Sequence, residues 1–104
     1  MRTLAAILVL AVASGAAASA SAQTRLTDVQ FVKVARCAGL AGDDRFDTVY
    51  KANEKGRSPF AIAKADEARD SAAREVKRVQ KGRTPGGQER IDAELGGACA
   101  ALKG

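Results

Sequence analysis

The sequence predicts an all-α fold: a small antiparallel bundle of three to four helices, tied by one disulfide and preceded by a cleavable signal peptide. Three observations carry this expectation. After Arg2, an uncharged stretch that is first apolar and then made of small residues opens the chain. Four stretches with helical spacing of apolar residues follow it, separated by glycine-bearing breaks. Two cysteines, Cys37 and Cys99, lie in the first and last of those stretches.

The opening stretch reads as an export signal over residues 1–22. Arg2 is a short positive n-region, Leu4 to Ala13 is an apolar core, and Ser14 to Ala22 holds only small residues. Ala20-Ser21-Ala22 is the small-x-small pattern that a signal peptidase pocket accepts, which places the cut after Ala22; Ala18-Ser19-Ala20 is a second candidate. The competing reading is a retained anchor, because Thr3 to Ala22 is nominally long enough to span a bilayer. Its second half of Ala, Ser and Gly has little drive into lipid, and no basic stop-transfer cluster follows. The expected location is periplasmic or secreted, with no transmembrane anchor after cleavage.

Residues 23–104 then form one helical domain. Only 15 of these 82 residues are Leu, Ile, Val or Phe, which makes for a thin core. Removing Arg2 from the whole-chain total of 17 leaves 16 basic residues against 12 acidic ones, a net charge of +4. The signs are mixed rather than blocked, so the charge half of the disorder signature is missing and a folded domain is expected.

The first helix is expected from Asp28 to Ala38. Thr27 and Gln30 form a capping box, and Leu26 and Phe31 sit at the positions of a hydrophobic staple. Phe31, Val34, Ala35 and Ala38 share a face, and Gly39 or Gly42 can end the helix. The second runs from Asp44 to Lys55, capped by Asp43 or Asp44, with Phe46, Val49, Tyr50 and Asn53 on one face and Gly56 as the stop. The third runs from Pro59 to Lys81, with Ser58 as N-cap and Pro59 in the first turn, where its missing N–H costs nothing.

This third helix has no large apolar residue between Ile62 and Val76. Its inner face would be Ala61, Ala65, Ala68 and Ala72, then Val76 and Val79. Alanine buries little area, so such a face either admits a neighbour at close range or lies in solvent, held by helix propensity. Acids Asp66, Glu67 and Asp70 precede bases Arg74, Lys77, Arg78 and Lys81, an order that suits the helix dipole, and Asp70 with Arg74 is a favourable i,i+4 pair. After a turn over Arg83 to Gly87, the fourth helix runs from Gln88 to Leu102 with Ile91, Leu95, Ala98 and Leu102 in one stripe. Gly96 and Gly97 interrupt it, marking a kink or the close approach of the first helix.

In an oxidising compartment the one intramolecular pairing is Cys37 with Cys99. It closes a loop of about 63 residues and removes about 4 kcal/mol of unfolded-chain freedom on the chain-entropy model. Two buried thiols or an intermolecular bridge are the alternatives. No C-x-x-C motif points to redox activity.

The chain has no histidine, so it can build neither a Ser-His-Asp nor a Cys-His site, and it lacks ordinary zinc ligands. No phosphate loop or G-x-G-x-x-G is present. The acids at Asp43, Asp44 and Asp47 lack the order of a calcium loop, and those at Asp66, Glu67 and Asp70 suit a helix start. The expectation is a protein without catalytic residues, cofactor or metal. The remaining surface signal is basic: Arg74, Lys77, Arg78 and Lys81 form one ridge, with Arg83 just beyond. It can meet an anionic partner (lipid headgroups, an envelope polymer, an acidic protein) or simply satisfy its own helix end. Nucleic acid is disfavoured by the export signal and by having only four aromatics in residues 23–104, Phe31, Phe46, Tyr50 and Phe60, all expected in the core.

The expected function is that of an exported binding or accessory protein of the cell envelope. The alternative is a periplasmic stress or chaperone-like protein. Small size, helicity and one disulfide resemble acid-activated periplasmic chaperones in architecture alone, while the missing histidine removes the usual proton sensor near pH 6.

Overall fold

The computed structural model describes residues 25–103, and the expected signal peptide lies outside them. Within that span the protein is all-helical, with α1 over Asp28–Ala41, α2 over Asp47–Glu54, α3 over Pro59–Gln80, α4 over Gly87–Gly96 and α5 over Ala98–Leu102. Among the described residues no helix is long and apolar enough to cross a membrane.

Local chemistry sets the boundaries. Thr27 Oγ1 accepts from the Gln30 N–H at 3.1 Å, and Gln30 Oε1 accepts from the Thr27 N–H at 2.9 Å, so the expected capping box starts α1. The helix runs past Gly39 and ends at Gly42, whose φ of 71° is the left-handed conformation that glycine adopts without penalty. Ser58 caps α3 through the Ala61 N–H, with Pro59 in the first turn. The expected Asp cap on α2 does not form: Phe46 occupies the N-cap position, and Asp43 instead holds the Arg45 side chain. The last helix is broken at Gly97, which separates α4 from α5.

The helices α1 to α4 alternate in direction, which puts α1 and α3 parallel. The start of α1 lies beside the start of α3, where Val29 and Val32 adjoin Phe60 and Ala61. Gly39, one turn from the end of α1, lies against Arg69 and Ala72 of α3. A Cβ on Gly39 would fall within 2.9 Å of the Ala72 Cβ and closer still to the Arg69 carbonyl oxygen. The alanine face of α3 therefore admits α1 at close range: Ala61, Ala65 and Ala72 are all buried. The close approach belongs to Gly39, and nothing stands within 4 Å of a Cβ placed on Gly96.

Two cores flank α1. The larger gathers Phe31, Val34, Ala35, Cys37, Ala38, Phe46, Tyr50, Ala65 and Cys99. Phe31 and Tyr50 stack with centroids 4.8 Å apart. The Arg57 guanidinium lies 4.9 Å from the Phe31 centroid, and that of Arg69 lies 4.6 Å from the Tyr50 centroid. These spacings leave no room between the two rings, so the cations close the outer faces of the stack. The smaller core holds Leu40, Ala72 and Ile91, with Val76, Val79 and Leu95 packed on it.

The Cys37–Cys99 disulfide joins α1 to α5, with both residues fully buried. The chain entering α1 is strapped down as well. The Leu26 N–H donates to Asn53 Oδ1 at 2.8 Å, and the Arg57 guanidinium donates to the Leu26 and Asn53 carbonyls and to Asp28. Buried Asn53 is thereby satisfied, since its amide also donates to the Val49 carbonyl at 3.0 Å.

Candidate functional site

The basic ridge forms on the second half of α3, where glycine and proline are absent and the helix continues to Gln80. Arg74, Lys77, Arg78, Lys81 and Arg83 are all exposed. The spacing of the first four keeps them on one side of the helix, away from the buried alanines. None of the five makes an ion pair or a side-chain hydrogen bond among the described residues, and the expected Asp70–Arg74 pair does not form. Among the described residues, these five cations thus stand in solvent with their donors open. The acids nearest in sequence, Asp66, Glu67 and Asp70, are also exposed, and of these Glu67 lies 4.0 Å from Lys64.

The paired cations behave differently. Arg36 on α1 donates to both carboxylate oxygens of Glu94 on α4, at 2.7 and 3.0 Å, and reaches Glu75 on α3 at 3.4 Å. The guanidinium hydrogen bonds hold the Glu94 carboxyl below its ordinary range against the opposing effect of burial, and the same bonds hold Arg36 above its own. The Arg45 side chain likewise lowers Asp43 on the open surface. Burial pushes the Tyr50 phenol up, as expected of a ring stacked in the core. Cys37 and Cys99 are occupied by their disulfide and no cysteine is free. Among the described residues, no group of three or more Asp, Glu, Cys or His side chains gathers as a metal site would require.

A second surface feature lies at the opposite end of α3. Asp28, Val29 and Val32 of α1 and Phe60, Ala61 and Lys64 of α3 line an open groove of about 280 Å³. Phe60 is 72% exposed and Val29 80% exposed, so Phe60 is not the core residue its aromatic ring suggested. The sequence held the signal. Val29 is out of phase with the Phe31, Val34, Ala35 and Ala38 face, and Phe60 is out of phase with the alanine face beginning at Ala61. Arg36 and Arg57, whose pairing organises the two sides of α1, carry no signal of that kind, because their partners are remote in sequence. Compared with known proteins, the chain matches no family model, no curated protein and no solved structure.

Proposed function

We propose that this chain is an exported, non-catalytic accessory protein of the cell envelope that docks on an anionic partner through the ridge of Arg74, Lys77, Arg78, Lys81 and Arg83. The supporting observation is that these five side chains are exposed with no acid paired to them among the described residues, while Arg36, Arg45 and Arg57 each hold a carboxylate. Cations without an acid beside them are available to an incoming partner, and their spread along the end of α3 and the turn after it favours an extended anionic surface over a single small anion. Export is supported by the residue pattern of positions 1–22 and by a disulfide that an oxidising compartment maintains.

The test is binding to vesicles containing phosphatidylglycerol, with heparin-like polymer and acidic peptide as separate arms. Each base near an anionic membrane contributes about 1 kcal/mol, so changing Arg74, Lys77, Arg78 and Lys81 to Gln weakens binding on the order of a hundredfold or more. Binding also falls as salt shortens the Debye length. Undiminished binding by the quadruple variant removes the ridge from the function. An intact leader on protein purified from the native envelope removes export.

The exposed Phe60 and Val29 favour a second reading, a stress protein that shields apolar segments of clients. On that reading Phe60→Ser abolishes suppression of client aggregation, and the four ridge substitutions do not.

A further inference from the structure

We infer that the groove between the first turns of α1 and α3 is a docking seat for one amphipathic helix of another polypeptide, carrying two bulky apolar side chains one turn apart and acidic residues beside them. The inference concerns a different surface from the ridge and does not depend on it.

It begins with how α4 is seated. Val29, Val32, Arg36 and Leu40 follow one another at helical spacing along one stripe of α1. Ala61, Lys64, Ala68, Ala72, Glu75 and Val79 do the same along α3. Because α1 and α3 run parallel, these stripes are the two walls of one valley. In the far half of that valley lies α4. Ile91 is buried against Leu40 and Ala72, and Glu94 is held by Arg36, which also reaches Glu75 on the other wall. The near half is the open groove of Asp28, Val29, Val32, Phe60, Ala61 and Lys64.

The vacancy has a cause in the chain. Antiparallel to α1, α4 brings Ile91 level with Leu40 and Glu94 level with Arg36. A straight continuation would carry the next turn beside Val32 and the one after it beside Val29. The break at Gly97 prevents this and turns α5 aside, so that Cys99 meets Cys37. The groove is therefore a helix seat that the protein's own helix stops short of filling. Helix-in-groove recognition needs such a preformed apolar trough between two helices.

The partner's chemistry follows from the walls. Val29, Val32, Phe60 and Ala61 call for apolar anchors, and the groove's volume of about 280 Å³ suits two such side chains rather than a long helix. At the rim, Asp28 is already paired with Arg57 at 2.8 Å. Lys64 lines the groove, with only a 4.0 Å approach to exposed Glu67 that solvent screening leaves weak, and Lys33 is exposed four residues after Val29 on α1. Lysines on both walls favour acids on the incoming helix. In its own half α4 uses the same recipe, with Ile91 and Leu95 in the valley and Glu94 on the basic side chain of α1.

The probe is a short synthetic helical peptide with two leucines one turn apart and flanking glutamates, titrated into the oxidised protein and followed by amide chemical shifts. Saturable binding in the range of about 10–100 µM is expected, as befits a small seat. The shifts centre on Val29, Val32, Phe60, Ala61 and Lys64. Replacing the peptide leucines by alanine, or Phe60→Ser in the protein, weakens binding about tenfold or more. Phe60 is exposed, so its replacement leaves the fold intact, which the unchanged spectrum of the free variant verifies. A peptide flanked by lysines binds more weakly, and Lys33→Glu with Lys64→Glu reverses that preference. The ridge-neutralised protein binds the peptide as well as the parent does, which separates this result from failure of the ridge. No saturation by about 1 mM, shifts centred elsewhere, or a preference blind to the two lysine substitutions overturns the inference. So does sedimentation showing that the protein alone forms a dimer that Phe60→Ser dissolves, since a second copy would then fill the seat.

Discussion

The two cores on either side of α1 are built from different materials. Toward α2 and α5 lie the Phe31–Tyr50 stack, its two capping guanidinium groups, Phe46 and a buried disulfide. Toward α4 there are Leu40, Ala72 and Ile91, with partly buried valines and Leu95 around them, and a half-buried ion pair between Arg36 and Glu94. Buried area is the main source of stability, so the aromatic side holds the fold and the α4 side is the one that opens at low cost. A chain with few large apolar residues has concentrated them rather than spread them. The consequence is an α4 that sits in a shallow valley and leaves part of it vacant.

The sharpest test compares truncations in the two cores. Phe31 is completely buried and stacked, so Phe31→Ala is expected to cost about 3–5 kcal/mol, enough to leave so small a domain largely unfolded. Ile91→Ala is expected to cost about 2–3 kcal/mol, at the lower end of the range for such truncations. Urea titrations give both values, and hydrogen exchange should show α4 amides opening before those of α1. Equal costs, or an α4 as protected as α1, would break the contrast.

Next in size is the disulfide. Closing the Cys37–Cys99 loop is expected to contribute about 2–4 kcal/mol, with the chain-entropy value at the upper end. Both sulfurs are buried, so reduction needs local opening, and thiol reagents should find nothing in the native state. Replacing both cysteines by alanine lowers the urea midpoint. If α5 melts away while the spectrum of α1 to α4 is unchanged, the bridge holds only the terminus and not the larger core.

A smaller effect is expected at Gly39. A methyl group there meets the Arg69 carbonyl and the Ala72 Cβ, so α1 and α3 must separate; Gly39→Ala is expected to destabilise by about 1–3 kcal/mol although alanine favours helix. A neutral or stabilising result in thermal melts would mean that the helices adjust freely. This position also marks where the sequence stopped being legible. The spacing of Phe31, Val34, Ala35 and Ala38, the capping box at Thr27 and the Ser58-Pro59 start all announce themselves within a few residues, and the alanine face of α3 announces close packing without naming its neighbour. Gly39 reads locally as a helix stop, and only the parallel pairing of α1 with α3 gives it another role. The cysteine pairing was readable because only two were available.

The candidate surfaces divide along the same line. The ridge from Arg74 to Lys81 is legible because charge along an uninterrupted helix and its cap needs no tertiary information, and Arg83 follows just beyond the turn. The groove is not, because it exists only where α4 fails to reach. Aromaticity suggested core for Phe60, whereas its phase against Ala61 and Ala65 places it outside. Arg36 joins three helices through acids 39 and 58 residues away, a separation that no local pattern encodes.

That Arg36 junction supplies the smallest effect, and the one most specific to the α4 side. Hydrogen bonds from Arg36 lower the folded-state pKa of Glu94 below its unfolded value. The contribution of the pair is therefore fully present above the unfolded pKa of an ordinary carboxylate and is lost as the pH falls through the depressed folded value. Because both side chains are partly exposed, the contribution is about 1 kcal/mol or less. Arg36→Met removes it and leaves Glu94 and Glu75 facing each other without their cation, so the variant should lose stability at neutral pH and regain part of that deficit as the acids protonate. The parent-minus-variant difference should accordingly shrink between about pH 5 and pH 3, while the same difference for the milder Phe31→Leu, which stays folded, is flat, since no titrating group is lost there. A difference that does not change with pH would show that Arg36 acts through the packing of its aliphatic stem, and the ion pair would cease to distinguish the α4 side.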